Sequence, residues 1–132
     1  MANSSVQVIN KKSPKKLSRQ SKIFKTIIKA ILEKKGINVV SLDMRKIQEA
    51  SADFFIICEA TNPIQLKSIA ENVEEIVKKE TGELPYKHEG FQALKWILID
   101  FVNVVVHVML PEIRTFYQLE EVWHDAPGME HN

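Results

Sequence analysis

Residues 94–110 read LKWILIDFVNVVVHVML, and this stretch decides the fold. Two runs rich in β-branched and aromatic residues, 94–101 and 104–110, stand on either side of the dipeptide Val102-Asn103. Runs of this composition separated by two residues are typical of an antiparallel hairpin. We therefore predict two paired strands, with Asn103 as the residue that tolerates the left-handed conformation of the turn.

The predicted hairpin has two unlike faces, because side chains alternate along a strand. With an even turn, one face collects the predicted core positions Lys95, Ile97, Ile99, Phe101, Val104, Val106, Val108 and Leu110. The opposite side, which we call the hairpin face, collects Leu94, Trp96, Leu98, Asp100, Val105, His107 and Met109. Aromatic, Met, His and acidic side chains among aliphatic ones are typical of the centre of a protein interface. The same mixture also suits a face beneath a helix, with Asp100 and His107 hydrogen-bonded locally.

The rest of the chain predicts helices that cover this sheet. Apolar residues recur with a helical period over 18–35, where Gly36 ends the helix, and again from Pro63 to a cap at Gly82. The remaining predicted elements are strands at 37–44 and 54–60, a short helical or turn connection at 45–50, a linker at 83–93 and a last helix at 111–123. The order α-β-(α)-β-α-β-β-α defines an α/β (α+β) fold, a mixed β-sheet of four or more strands packed with helices.

Length and charge indicate one domain with a basic extension. A chain of 132 residues holds one ordinary domain, which we place at 18–123, with a flexible basic arm at 1–17 and a flexible tail at 124–132. Residues 1–32 carry eight Lys and Arg and no acid, which leaves 10 basic and 17 acidic residues in the rest of the chain. Because an acidic body is a poor ligand for phosphate backbones, we expect direct nucleic-acid contact to be at most secondary, through the arm.

The chain carries no motif that predicts a reaction. Its four glycines are scattered, which excludes a phosphate-binding loop or a dinucleotide fingerprint. Asp53, Asp100 and His107 lie in no tight metal-binding motif, and Cys58 sits inside an apolar strand as an inert thiol. A single cysteine suits a reducing compartment, and no apolar run is long enough to cross a bilayer. We therefore expect a cytoplasmic protein without enzymatic activity, cofactor, metal or membrane partner.

Five further motifs point to one family. They are SADFFII at 51–57, QLKSIA at 65–70, WILIDF with VVVHV at 96–108, PEIRTFYQLE at 111–120, and Trp123 with DAP at 125–127. Over about 24–127 the chain resembles the ribosomal silencing factor family, also called RsfS or Iojap. It departs from that family at two places: FVN at 101–103 replaces the usual Tyr-Gly-Asp turn, and ATNP at 60–63 replaces Gly-Thr-Ser-Asn.

The resemblance implies a translation repressor with a nucleotidyltransferase-like fold. Such proteins bind the large ribosomal subunit through its fourteenth ribosomal protein and prevent the small subunit from docking when nutrients are scarce. Family members are usually homodimers, which we expect here as well. The Gly-Ser and paired-Asp signature of nucleotidyltransferase chemistry is missing from this chain, and fold likeness alone does not confer that activity.

The predicted partner-binding residues lie on the hairpin face and the last helix. Large apolar side chains would anchor the contact and charged ones would orient it. We assign Trp96, Leu98 and Met109 as anchors, Asp100, His107, Arg114 and Glu121 as orienting groups, and Tyr117 to both roles. The alternative for Trp96 and Tyr117 is packing beneath a neighbouring element.

Two rival functions stay open at this point. One is a metal-dependent nucleotidyltransferase or nuclease built around Asp53 and Asp100. The other is an RNA-binding adaptor that works through the lysines of 11–29.

Overall fold

The computed structural model describes residues 17–132, so the basic arm predicted at 1–17 lies outside the described residues except for Leu17. The helices are α1 (Lys22–Glu33), α2 (Pro63–Thr81), α3 (Pro111–Tyr117) and α4 (Leu119–Val122). The strands are β1 (Ile37–Asp43), β2 (Phe54–Glu59), β3 (Lys87–Glu89), β4 (Trp96–Asp100), β5 (Val104–Met109) and β6 (Gly128–His131). None of the helices within this part of the chain is long and apolar enough to cross a membrane.

The six strands form one mixed sheet in the order β3-β4-β5-β2-β1-β6. The pair β2–β5 is parallel and the other neighbouring pairs are antiparallel. Helices α1 and α2 cover one side of the sheet, where Ile27, Ile69 and Ile99 are among the fully buried residues. The predicted class, helices packed on a mixed sheet, is confirmed.

The register of the hairpin confirms the predicted faces over β4 and β5, but the prediction is wrong just before β4. Leu94, predicted on the hairpin face, has φ 56° and packs against the helix-covered core, and Lys95, predicted as a core position, is exposed. Ile97 pairs with Val108 and Leu98 pairs with His107, so alternate residues of β4 and β5 point to opposite sides of the sheet. Ile97 and Ile99 are buried under the helices, and Leu98 on the hairpin face is only half-buried.

The turn of the hairpin is built differently from the prediction. Val102, and not Asn103, has the positive φ of 74°. The Asn103 N–H donates to the Phe101 carbonyl at 2.9 Å, which makes a three-residue γ-turn centred on Val102. Asn103 is needed elsewhere: its carbonyl accepts the backbone N–H groups of Asp53 and Phe54 and ties the turn to the start of β2.

The two long helices end by different physical means. At α2 the predicted cap is confirmed, because Gly82 ends the helix with φ 77°. At the start of α2 the Asn62 side chain accepts the Gln65 N–H at 2.8 Å. At α1 the left-handed residue is Lys35, with φ 65°, and not Gly36. Gly36 is required for space, since a Cβ atom there would collide with the Ile31 side chain.

Three segments carry structure that the sequence pattern missed. The predicted linker 83–93 contains strand β3, and the predicted flexible tail 124–132 contains strand β6, which pairs with β1. The predicted helix 111–123 breaks at Gln118, whose φ of 47° separates α3 from α4. The connection 45–50 consists of turns.

Candidate functional site

The hairpin face is the side of the sheet that helices α1 and α2 leave open. Strand β2 extends it, because Phe55 pairs with Val105 and Ile57 with His107 in parallel register. Helices α3 and α4, the connection 45–50 and Trp123 cover part of it, packing on a small cluster that includes the buried Ile57 and Met109. Phe55, Trp96 and Leu98 stay half-buried at the border of this cover.

Aromatic rings stack across the boundary between the hairpin face and α3. The Trp96 and Tyr117 ring centroids are 4.9 Å apart, and Tyr117 is 4.9 Å from Phe116 in an edge-to-face contact. Phe116 is 77% exposed and Tyr117 48% exposed. Isolated exposed apolar residues are common, but three contiguous rings at the rim of an open sheet face make a surface suited to burial against a partner.

His107 is buried and fixes the position of the Trp96 ring through a hydrogen bond. It is 4% exposed, and its Nδ1 accepts the Trp96 Nε1–H at 3.1 Å. Burial lowers the pKa of His107 to about 4, so the neutral ring carries its proton on Nε2. Within residues 17–132, the buried Nε2 has no hydrogen-bond partner. His107 was predicted as an orienting contact; the structure instead places it where it orients the indole of Trp96.

Asp100 also serves its own hairpin. Its Oδ1 accepts the Val102 N–H at 2.7 Å, which supports the γ-turn from the side of the hairpin face. The carboxylate is half-buried and lies opposite Val105 in the register. Asp100 and Leu98 therefore lie together on the open part of the face, beside Trp96.

Met109 and Arg114 require correction. Met109 is fully buried, so it supports the face from beneath and is not a surface anchor. Arg114 is buried away from the aromatic rings and binds Glu59, Glu120 and a backbone carbonyl. Its Nη1 donates to the Asn38 carbonyl at 2.6 Å and to Glu59 Oε2 at 3.2 Å, and its Nη2 donates to Glu120 Oε2 at 2.6 Å.

These contacts make Arg114 a structural tie between α3, α4 and the first two strands. The carbonyl that it binds belongs to a bulge in β1, where Asn38 has φ 50°. A carbonyl released by a bulge needs a donor when it is partly buried, and Arg114 supplies one. Glu121 is exposed on α4.

The sequence reasoning missed three aromatic residues of this site. Phe55 lies 4.9 Å from the His107 ring and 5.8 Å from the Trp123 ring, and Phe116 extends the stack outward. Phe116 and Tyr117 stand side by side in a short helix after Pro111, and two adjacent aromatic residues cannot both face inward on a helix. Their adjacency in the sequence is the signal by which Phe116 could have been found.

The residues on which the rival enzymatic interpretation depends are buried or bonded within the fold. Asp53 is fully buried, and its Oδ2 accepts the Leu17 N–H at 3.1 Å and the Asn103 Nδ2–H at 3.2 Å. Burial raises the pKa of the Cys58 thiol to about 12, which keeps it protonated. In the described range 17–132, no three His, Cys, Asp or Glu residues form a group that could hold a metal ion.

Fold and face together define a class: a small α+β domain whose sheet is sealed by helices on one side and left half-covered, with aromatic side chains, on the other. The family model described as "Ribosomal silencing factor during starvation" matches residues 17–132. The chain belongs to the ribosomal silencing factor family, and its general role is in ribosome silencing.

Individual relatives agree with this assignment. The chain is 37% identical to a ribosomal silencing factor RsfS from Halalkalibacterium halodurans over 78% of this chain and 86% of the relative. It is 36% identical, over 54% of this chain and 32% of the relative, to the mouse protein named "Mitochondrial assembly of ribosomal large subunit protein 1". A crystal structure of a protein from Chromobacterium violaceum superposes with a TM-score of 0.74 at 32% identity, covering 82% of this chain and 88% of that one.

Proposed function

We propose that this protein binds the large ribosomal subunit through its fourteenth ribosomal protein and keeps the small subunit from joining. The hairpin face and the outer side of α3 and α4 form the contact. No reaction is involved, and the effect represses translation under nutrient limitation. The observation that carries the proposal is the half-exposed stack of Trp96, Tyr117 and Phe116 beside the open half of the hairpin face.

The composition of this surface suits a binding hot spot. Trp and Tyr are enriched among the residues that dominate binding energy, because they bury a large area with few rotatable bonds and keep a polar atom for hydrogen bonding. The indole of Trp96 is held before binding, by His107 on one side and the Tyr117 ring on the other. A side chain fixed in this way loses little conformational entropy when a partner covers it.

Charge supports a basic protein as the partner. Residues 33–132 carry 17 acidic and 10 basic side chains, and Glu112 on α3 and Glu121 on α4 are exposed. Complementary charge around an apolar centre speeds association and fixes orientation. The large ribosomal subunit as the site of binding is supported by the family and by the mouse relative, whose name refers to the ribosomal large subunit.

The size of the bound domain is sufficient to keep the two ribosomal subunits from joining. A domain of this length has a radius of gyration of about 14 Å, whereas contacts between subunits need direct or one-water distances. A bound copy at the joining surface therefore separates the two subunits by far more than a contact distance. Affinity has to exceed only that of subunit joining, and interfaces of about 1,600 Å² reach from micromolar to picomolar strength.

A sedimentation assay with matched variants tests the contact surface. We expect Tyr117→Ala to weaken co-sedimentation of the full chain with purified large subunits by about tenfold, since truncating a hot-spot aromatic costs more than about 1 kcal/mol. The control is Ile64→Ala: Ile64 is 82% exposed, but it lies on α2, on the other side of the sheet. Equal binding by the two variants would remove the hairpin face from the contact.

We also propose the homodimer that the resemblance implies and the cytoplasmic location that the single cysteine indicates. The dimer is checked by the mass of the free protein in sedimentation equilibrium, where a monomer at all concentrations would contradict it. Residues of the basic arm have at most a secondary contact with ribosomal RNA in this scheme.

A further inference from the structure

A groove separate from the hairpin face runs between helix α1 and the edge strand β6. We call it the edge groove, and its volume is about 890 Å³. Phe24, Ile28 and Leu32 of α1 form one apolar wall, and Met129 of β6 stands on the other side, 46% exposed. Four large apolar side chains thus line a channel beside the last strand of the sheet.

The strand that borders this groove has a free edge. In the sheet order, β6 is terminal, and no further strand pairs with it among residues 17–132. The Asp43 N–H donates to the Pro127 carbonyl at 2.8 Å, which fixes the phase of the pairing between β1 and β6. Because hydrogen-bonded and non-bonded pairs alternate in an antiparallel ladder, the backbone groups of Gly128 and Glu130 point outward. A row of outward backbone donors and acceptors is a template for another strand.

The rim of the edge groove is basic. Arg19, Lys25 and Lys29 line it, against the single acid Glu33. Lys29 pairs with Glu80 at 3.3 Å, and the Arg19 Nε–H donates to Ser41 Oγ at 3.0 Å. Lys25 has no ion-pair partner within the described range, so its charge is available to an incoming group.

We propose that the edge groove binds an extended peptide segment of a partner protein as a seventh strand beside β6, in which the side chains that face α1 are apolar at the centre of the segment and acidic at its ends. The outward backbone groups of β6 supply hydrogen bonds. Every second side chain of the added strand faces α1, where the apolar wall takes the central ones and the basic rim takes the acidic ones at the ends. Strand addition between an edge strand and a helix is a general mode of peptide recognition.

Charge argues against the two other occupants. Residues 1–16 contain four lysines and no acid, so this segment would bring positive charge to a basic rim. A second copy paired through β6 would bring two lysine-rich α1 helices side by side, where like charges oppose association. An acidic peptide avoids both of these repulsions between like charges.

The edge groove lies at the far end of the sheet from β4. Strands β5, β2 and β1 separate β4 from β6, and the groove opens on the side of α1. The two surfaces do not share a residue. Peptide binding and ribosome binding can therefore be measured independently, and a negative result for one proposal does not contradict the other.

The test measures the fluorescence anisotropy of a fluorescein-labelled probe of sequence Glu-Thr-Val-Thr-Ile-Thr-Glu in the presence of the full chain; in this probe both glutamates lie on the same face as valine and isoleucine. The key variant is Glu130→Pro, which removes the outward N–H while leaving the bonded pairs of β1 and β6 intact. We expect it to bind about tenfold more weakly than the matched Glu130→Ala, which keeps that N–H. Lys25→Glu is expected to weaken binding about fivefold, with a smaller effect at high salt.

Four results would overturn the proposal. Equal binding of a probe with lysine in place of every glutamate would remove the role of charge, and equal binding by the two Glu130 variants would remove strand addition. Binding that appears only when Val6, Val8 and Ile9 of the full chain are all changed to serine would show that residues 1–16 occupy the groove. Dissociation of a dimer by Glu130→Pro, without probe binding to the wild type, would assign the groove to a second copy.

Discussion

The two sides of strands β4 and β5 are both mostly apolar and yet differ in what covers them. On the helix-covered side, Ile97, Ile99 and Val106 are fully buried beneath α1 and α2. On the hairpin face, Trp96 and Leu98 alternate with them along the chain and remain half-buried. Residues one position apart in the same strand therefore serve stability on one side and, as we propose, recognition of a partner on the other.

The largest effect expected from this difference is on stability. Ile99→Ala removes buried methyl groups from the helix-covered side, and we expect the free energy of unfolding to fall by about 3 kcal/mol. Leu98→Ala, the neighbour on the hairpin face, should lower it by about 1 kcal/mol or less, because part of that side chain already meets water. Urea denaturation of both variants measures the difference, and equal losses would show that the hairpin face is as well packed as the core.

A smaller effect concerns the buried histidine of the hairpin face. Folded His107 has a pKa of about 4, below the usual value of 6.5, because its burial disfavours the charged form. Between these values the unfolded chain binds a proton that the folded chain does not, so His107 lowers the free energy of unfolding as the pH falls. The linkage relation gives a loss of about 2 kcal/mol from about pH 7 to about pH 5.

The variant His107→Asn isolates that contribution. Its Oδ1 can still accept the Trp96 Nε1–H, but it does not titrate in this range. We expect the wild type to lose more stability than the variant over the same pH interval in urea titrations. Equal losses of stability in the two proteins would show that the pKa of His107 does not differ between the folded and the unfolded chain.

Pattern predicted the two faces, because strand alternation depends only on sequence parity and the parity of the turn. The pattern could not predict which parts of each face are buried, because the burial of Met109 and Arg114 depends on packing against elements that are distant in the sequence. Arg114 looks like a surface residue on a helix, and only the bulge at Asn38 and the acids Glu59 and Glu120 explain its burial. The strand at 128–131 was missed for a similar reason, since four residues beside Pro127 acquire a strand pattern only when β1 lies next to them.

The smallest effect concerns the turn that joins the two strands. Val102 has φ 74°, a region that costs a β-branched residue about 1–3 kcal/mol. Val102→Gly relieves this strain at the expense of a more flexible unfolded chain, and we expect a net gain of about 1 kcal/mol in the free energy of unfolding. The register, and with it both faces, should be unchanged. A loss of stability in urea would mean that the Val102 side chain makes packing contacts worth more than the strain.

The central claim is that the half-covered face attaches this domain to the large subunit and that its bulk keeps the subunits apart. The most direct measurement is the yield of joined ribosomes from purified subunits, separated on a sucrose gradient, with and without saturating wild-type protein. We expect a loss of the joined peak, with the protein comigrating with the large subunit. An undiminished joined peak that still carries the protein would contradict it.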